Sequence, residues 1–318
     1  MHTKTELLEL LRAGGIRLSK RLGQHYLIDP RICRRLVSLC EIAPEDTVVE
    51  IGAGMGALTD LLAERAKRVV AVEVDRAISE HLTRRLAHLS TVEVLCQDIL
   101  EFPWARYPGS KVVGAIPYHI TSPILVSLCE GVAPACNATS SAARTVPPRS
   151  VAAPACCDTS SAAWRVPPRS PAVAAAWLGI QHEVAQRLCA APGSKAYGRL
   201  TVLVQYRFTV SRLARIARSA FFPQPEVDSA WVQLVAHPSP PVTVDDEALL
   251  FDVVRAAFSQ RRKTLANCLL QLRAPRLTRS QALMLIQEAG LAAGVRGETL
   301  SLEAFARVTN HLRYRLLR

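Results

Sequence analysis

The chain has 318 residues, is 49% apolar, and carries a formal net charge of +12 from 39 Lys and Arg against 27 Asp and Glu. That length buries a large core and suits one larger domain with a smaller one beside it, while the basic balance favours a polyanionic partner. No apolar run reaches the roughly 18 residues that span a bilayer, Met1 to Glu6 lack the features of a signal peptide, and nine cysteines without a Cys-x-x-Cys pair read as reduced thiols, so the expectation is a cytoplasmic protein with no membrane contact, no disulfide framework and no metal site.

Taken in order, Thr5 to Leu11 reads as a short helix. A basic segment follows, Lys20-Arg21-Leu22-Gly23-Gln24-His25-Tyr26-Leu27-Ile28-Asp29, and helical spacing resumes at Ile32, Leu36, Val37 and Leu39. Next comes Val48-Val49-Glu50-Ile51-Gly52-Ala53-Gly54-Met55-Gly56-Ala57-Leu58-Thr59, a β-branched run, a close glycine set and the start of a helix. In an open α/β sheet that unit holds a nucleotide-like ligand at the carboxyl edge of the strands. The glycine spacing also satisfies a loose dinucleotide pattern. Glu50, two residues before the first glycine, argues against a pyrophosphate and suits a cationic ligand. The next strand, Val69 to Val72, ends in Glu73, about 20 residues past the glycines, where a carboxylate takes ribose hydroxyls. A nucleoside bearing a positive charge, S-adenosylmethionine, meets both conditions.

A helix is expected from Ala77 to about Leu89. Val92 to Cys96 reads as a third strand leading into Gln97-Asp98, and Lys111 to Ile116 as a fourth, ending in Pro117-Tyr118. Strands alternating with helices define a parallel sheet of Rossmann-like α/β class. Four successive strand ends then bring Glu50 with the glycines, Glu73, Asp98 and Tyr118 to one edge.

Residues 131–176 break this pattern. Ala133 to Ser150 recurs as Ala153 to Ser170, rich in Ala, Pro, Ser and Arg, and reads as a disordered insertion. Structure is expected again near Ala172, with a helix at Gln181 to Leu188 and strands at Leu200 to Val210 and Ser229 to Val235, an antiparallel pair completing the sheet. His237 to Pro241 is a linker, and the remainder reads as helical, with a basic knot at Arg261-Arg262-Lys263. The division expected is 1–237 for the cofactor-binding domain and 238–318 for a small all-helical, RNA-binding one. Both ends are basic: eight Lys and Arg against three acids in 1–35, twelve against seven in 238–318.

Together these segments resemble the KsgA/RsmA family of small-subunit rRNA adenine N6,N6-dimethyltransferases, relatives of the Erm resistance methyltransferases. The resemblance is carried, in order, by Lys20 to Leu27, Glu50 to Thr59, Glu73-Val74-Asp75, Gln97-Asp98, Ile116-Pro117-Tyr118, Ser194 to Leu200, Phe221 to Ser229 and Ala257 to Leu265. It implies a class I methyltransferase sheet, S-adenosylmethionine as methyl donor, and two adjacent adenosines in the 3′-terminal hairpin of 16S rRNA, presented on an assembling 30S subunit; nothing in the sequence suggests an obligate oligomer, so a monomer is expected. It further implies that Gln24, His25 and Leu27 lie by the cofactor's methionine part, that Gly52 and Gly54 close around it, and that Glu73 holds its ribose. Asp98 would accept from its adenine amino group, while Tyr118 and Phe221 would sandwich the flipped target base, beside Ile116 and Pro117. The family motif is Asn-Leu-Pro-Tyr, and here the Asn position is Ala115, which has no side-chain acceptor for the target amine. Ala115 therefore carries a second expectation, an assembly factor with weak or no methylation.

Overall fold

The computed structural model describes residues 3–13, 15–16, 23–131 and 173–316. The repeat of 132–172 and the basic Lys20-Arg21-Leu22 lie outside the described residues. Helix α1 (Lys4–Ala13) leads to the two-residue strand β1 (Tyr26–Leu27) and helix α2 (Pro30–Ser38). Pro30 sits in the first turn of α2, and Asp29 caps it by accepting from Arg31 and Ile32 N–H. Four strands and three helices follow: β2 (Thr47–Ile51), α3 (Thr59–Ala63), β3 (Arg68–Glu73), α4 (Arg76–Leu86), β4 (Val92–Cys96), β5 (Ser110–Ala115) and α5 (Thr121–Gly131). Beyond the repeat come β6 (Val173–Gln181), α6 (His182–Leu188), α7 (Arg199–Arg207), β7 (Phe208–Ile216), β8 (Phe221–Phe222) and β9 (Ser229–Ala236). Helices α8 (Glu247–Ala257), α9 (Leu265–Leu269), α10 (Arg279–Glu288) and α11 (Leu302–Leu316) complete the chain.

Seven strands form one sheet in the order β4-β3-β2-β5-β6-β9-β7. β4 through β6 are parallel, and β9 joins antiparallel to both β6 and β7. The order reverses between β2 and β5, the switch point at which open α/β sheets bind ligands. β1 and β8 pair separately, Leu27 opposite Phe221 and Tyr26 opposite Phe222, so the N-terminal segment is held against the later aromatic pair.

Two expectations are corrected here. Residues 173–176 belong to the sheet, not to the insertion: β6 starts at Val173, which is fully buried, and pairs along its length with β5 and β9. Residues 199–207 are helix α7 rather than strand. Its Thr201, Val202, Leu203, Val204 and Tyr206 are all buried, and packing on several sides overrides the β-branched composition. Apolar packing continues across the 237–241 segment. One apolar cluster runs from Val49 and Val112 in the sheet, through Val204 in α7, to Leu250 and Phe251 in α8 and Phe305 in α11. Tyr206 packs edge-on against Phe251 at 5.5 Å, and Tyr197, before α7, donates to the Leu300 carbonyl at 2.9 Å. Among the described residues, no helix is long and apolar enough to cross a membrane.

Candidate active site

A cavity of about 520 Å³ opens at the carboxyl ends of β2, β3, β4 and β5. Gln24, His25, Gly52, Gly54, Glu73, Asp98, Ala115, Ile116, Pro117, Tyr118 and Phe221 all border it. Topology explains the convergence: parallel strands present all their carboxyl ends on one side, and the β1–β8 pair folds Gln24, His25 and Phe221 over that side.

The glycine turn after β2 sits in left-handed backbone, with φ of +68° at Gly52 and +54° at Gly54. The Tyr26 ring lies so close to Gly54 that a Cβ there would be 2.9 Å from it. Glu73 is 6% exposed and binds the same turn, one carboxylate oxygen accepting from Gly54 N–H and the other from Asp75 N–H, each at 2.9 Å. Burial raises its pKa above the usual carboxylate value. A carboxylate offers about four lone-pair positions, so acceptor capacity remains toward the cavity. Asp75 caps α4 and accepts from Gln24 Nε2 at 3.2 Å, which fixes Gln24 on the rim. Asp98 uses one oxygen to accept from Leu100 N–H at 2.9 Å.

Glu50 does not do what its position in the sequence suggests. It is 2% exposed, borders a small hollow beneath the glycine turn rather than the main cavity, and accepts from Thr59 Oγ1 at 2.6 Å. Burial pushes its pKa up to about 8, so the carboxyl is neutral near pH 7 and presents no charge to a cation. Folding then takes up a proton between about pH 4.5 and 8. The stability tied to this proton is complete below about pH 4.5 and is lost as pH rises toward 8, by at most about 1.4 kcal/mol per pH unit. Glu50→Gln carries no such dependence. Its thermal midpoint relative to the unaltered chain should climb by several degrees between pH 5 and pH 8, read by calorimetry. A constant difference would mean the buried carboxyl is ionised.

On the opposite wall, β5 ends at Ala115, paired with Gly179 of β6, and the Ile116 N–H donates to the Gly179 carbonyl at 3.1 Å. Tyr118 follows in a short 3₁₀ turn. Its hydroxyl lies 2.7 Å from Ser229 Oγ, and its ring lies 5.7 Å from that of His25 with a 30° tilt. His25 Nδ1 is 2.6 Å from the Pro223 carbonyl. A carbonyl only accepts, so Nδ1 bears the hydrogen and, in the neutral ring, Nε2 is left as an acceptor. Ser229 and Gly179 also border the cavity, and sequence reasoning did not single them out for the site.

Two groups of expected site residues are placed differently. Leu27 is 4% exposed, pairs with Phe221 and borders the small hollow rather than the main cavity. The basic knot divides: Arg261 donates to the Lys195 carbonyl at 2.8 Å and to Glu298 at 3.2 Å, tying two loops together, while Arg262 and Lys263 are exposed.

The cavity suits a phosphate-free nucleoside rather than a dinucleotide. Among the described residues no Lys or Arg borders it to neutralise a pyrophosphate, and there the dinucleotide pattern of the glycines is not followed through. Its carboxylate acceptors are Glu73 and Asp98, and its apolar wall includes Ile51, Val72, Ile99 and Leu100. The left-handed glycines leave the space that Cβ atoms would fill. These features fit the ribose hydroxyls, amino group and ring of S-adenosylmethionine.

The fold and this edge define a class I S-adenosylmethionine-dependent methyltransferase. Among solved structures, a dimethyladenosine transferase from Plasmodium falciparum aligns with a TM-score of 0.66 at 23% identity, over 89% of this chain and 95% of that one. The 23S rRNA methyltransferase ErmE aligns at 0.60 and 24% identity, over 91% and 99%. The family described as ribosomal RNA adenine dimethylase matches residues 15–313, and the chain belongs to that family. Curated relatives include the ribosomal RNA small subunit methyltransferase A of Geobacillus sp. strain WCH70, 35% identical over 96% of this chain and 95% of its own. That of Moorella thermoacetica strain ATCC 39073 / JCM 9320 is 35% identical over 98% of each. S-adenosylmethionine is accordingly the cofactor and ribosomal RNA the substrate.

Proposed function

We propose that this enzyme dimethylates N6 of two adjacent adenosines in the 3′-terminal hairpin of 16S rRNA, acting in the cytoplasm as a monomer on the assembling 30S subunit. The observation that carries this reading is the shared cavity, where two nucleoside acceptors and an aromatic strand end meet at one sheet edge. The relatives named for the small subunit direct it to that RNA.

In this reading Gly52 and Gly54 let the backbone close on the cofactor, Glu73 accepts from its ribose hydroxyls and Asp98 from its adenine amino group. Gln24 and His25 flank its methionine part, and Leu27 supports them from beneath. When bound, S-adenosylmethionine supplies a sulfonium methyl group already activated for direct displacement. Most of the catalysis then rests on positioning. Tyr118 and Phe221 hold the extruded base between them, as extruded-base chemistry requires, and Pro117 sets the turn that carries Tyr118. The Ile116 carbonyl accepts a hydrogen of the target amine and steers its lone pair forward. Residues 1–237 bind cofactor and target base. Residues 238–318 dock on the RNA, with Arg262 and Lys263 meeting phosphates and Arg261 bracing them.

Ala115 supplies no acceptor, yet the reading without turnover is not favoured, because the family and its relatives are named for methylation. The test is transfer of labelled methyl to unmethylated small subunits, with Ala115→Asn alongside. About four methyls per subunit are expected from the unaltered chain, and Asn should change the rate by less than about tenfold. Negligible transfer that Asn rescues a hundredfold, the scale of a lost aimed partner, would overturn the proposal.

A further inference from the structure

Tyr118 is half-buried and lies three residues past the end of β5, in a single 3₁₀ turn, so nothing in β5 itself fixes its ring. Two contacts from elsewhere do. Its hydroxyl meets Ser229 Oγ at 2.7 Å. Ser229 is 1% exposed and opens β9, where it pairs with Gln181 on one side and Ile216 on the other. The next residue back is held as firmly: Asp228 accepts from Arg218 N–H at 2.9 Å and from Arg215 Nε at 2.9 Å. The serine hydroxyl therefore projects from a backbone locked on both edges. The second contact is the tilted His25 ring, itself fastened to the Pro223 carbonyl.

We infer that Ser229 is a positioning residue for methyl transfer: its hydroxyl holds the Tyr118 ring in the plane against which the target base stacks. This inference rests on the proposed role of Tyr118. A free tyrosine ring turns about its first side-chain torsion among staggered wells. The Ser229 tether removes that freedom and leaves the face of the ring open to the cavity. RNA affinity comes mainly from phosphate contacts, so loss of the tether should reach the chemical step and spare binding.

The test is a double-variant cycle of Tyr118→Phe and Ser229→Ala in the full-length protein, assayed for methyl transfer to unmethylated small subunits. Tyr118→Phe removes a single oxygen from a half-buried ring and keeps the fold. Each single variant should lower kcat about tenfold, with KM for the subunit and the cofactor dissociation constant changed less than about twofold. The pair together should be no slower than the slower single variant. A Tyr118→Phe enzyme with unaltered kcat, or effects that multiply in the pair, would overturn the inference and leave the methyltransferase reading standing. Absence of transfer by the unaltered chain would overturn both.

Discussion

Gly114→Ala is expected to weaken S-adenosylmethionine binding at least tenfold and to cost about 1–3 kcal/mol of stability, the range for overpacking a tight interior. Gly114 lies in β5 one residue before Ala115. A Cβ there would stand 2.6 Å from the Ile51 carbonyl oxygen and 3.0 Å from the Ile51 Cβ. Both belong to β2, and the oxygen is backbone, so no side-chain rotation relieves the clash. The two strands must separate where β2 passes into the Gly52 turn and β5 into Ile116-Pro117-Tyr118. Those two ends border the cavity from opposite sides of the switch point. Gly294→Ala is the control: that residue is exposed, and no atom lies within 4 Å of an added Cβ. Calorimetric titration of both variants with the cofactor checks the prediction. Equal affinities would show that strand spacing at Gly114 does not set the cradle.

Gly114 also marks what can be read in a sequence. The parallel sheet and its ligand edge were legible because β2 to β5 are short apolar runs, each ending in a turn or a carboxylate. Glu73, Asp98 and Tyr118 follow from position along their own strands. Relations between strands were not legible. Gly114 looks like any glycine until β5 lies beside Ile51. Ser229 becomes a partner of Tyr118 only because β9 inserts between β6 and β7. Glu50 shows the opposite failure. Its place before the glycines suits a contact with the ligand, but its side chain turns to Thr59 and away from the cavity. Arg261 reads as a free cation beside Arg262 and Lys263, yet its carboxylate partner Glu298 is 37 residues on. The start of β6 is hidden because Val173-Ala174-Ala175-Ala176 continues the alanine-rich composition that precedes it. In α7, alternation and β-branching pointed to a strand, and burial of nearly the whole helix surface hid the helical period.

Glu247→Ala should be among the most destabilising single substitutions outside the cavity, at about 3–5 kcal/mol. Arg207, at the end of α7, is 6% exposed and donates to both oxygens of Glu247, at 2.8 and 3.3 Å. Tyr206 donates to the same carboxylate at 2.7 Å, and the guanidinium lies 5.0 Å from the Tyr206 ring centre. Glu247 opens α8, so this group joins the sheet-bearing part of the chain to its helical end. Truncating the acid strands a buried guanidinium whose Nε already lacks a partner. Breaking such a pair from one side costs far more than the pair itself contributes, because the remaining charge stays desolvated. The drop in thermal midpoint should be on the order of 10 °C, taking about 2–4 °C per kcal/mol. The double variant Arg207→Met with Glu247→Met removes both charges and keeps most of the volume. It should recover at least half of the loss. If it is no more stable than Glu247→Ala, then the joint is held by the hydrogen bonds themselves and not by the need to pair a buried charge.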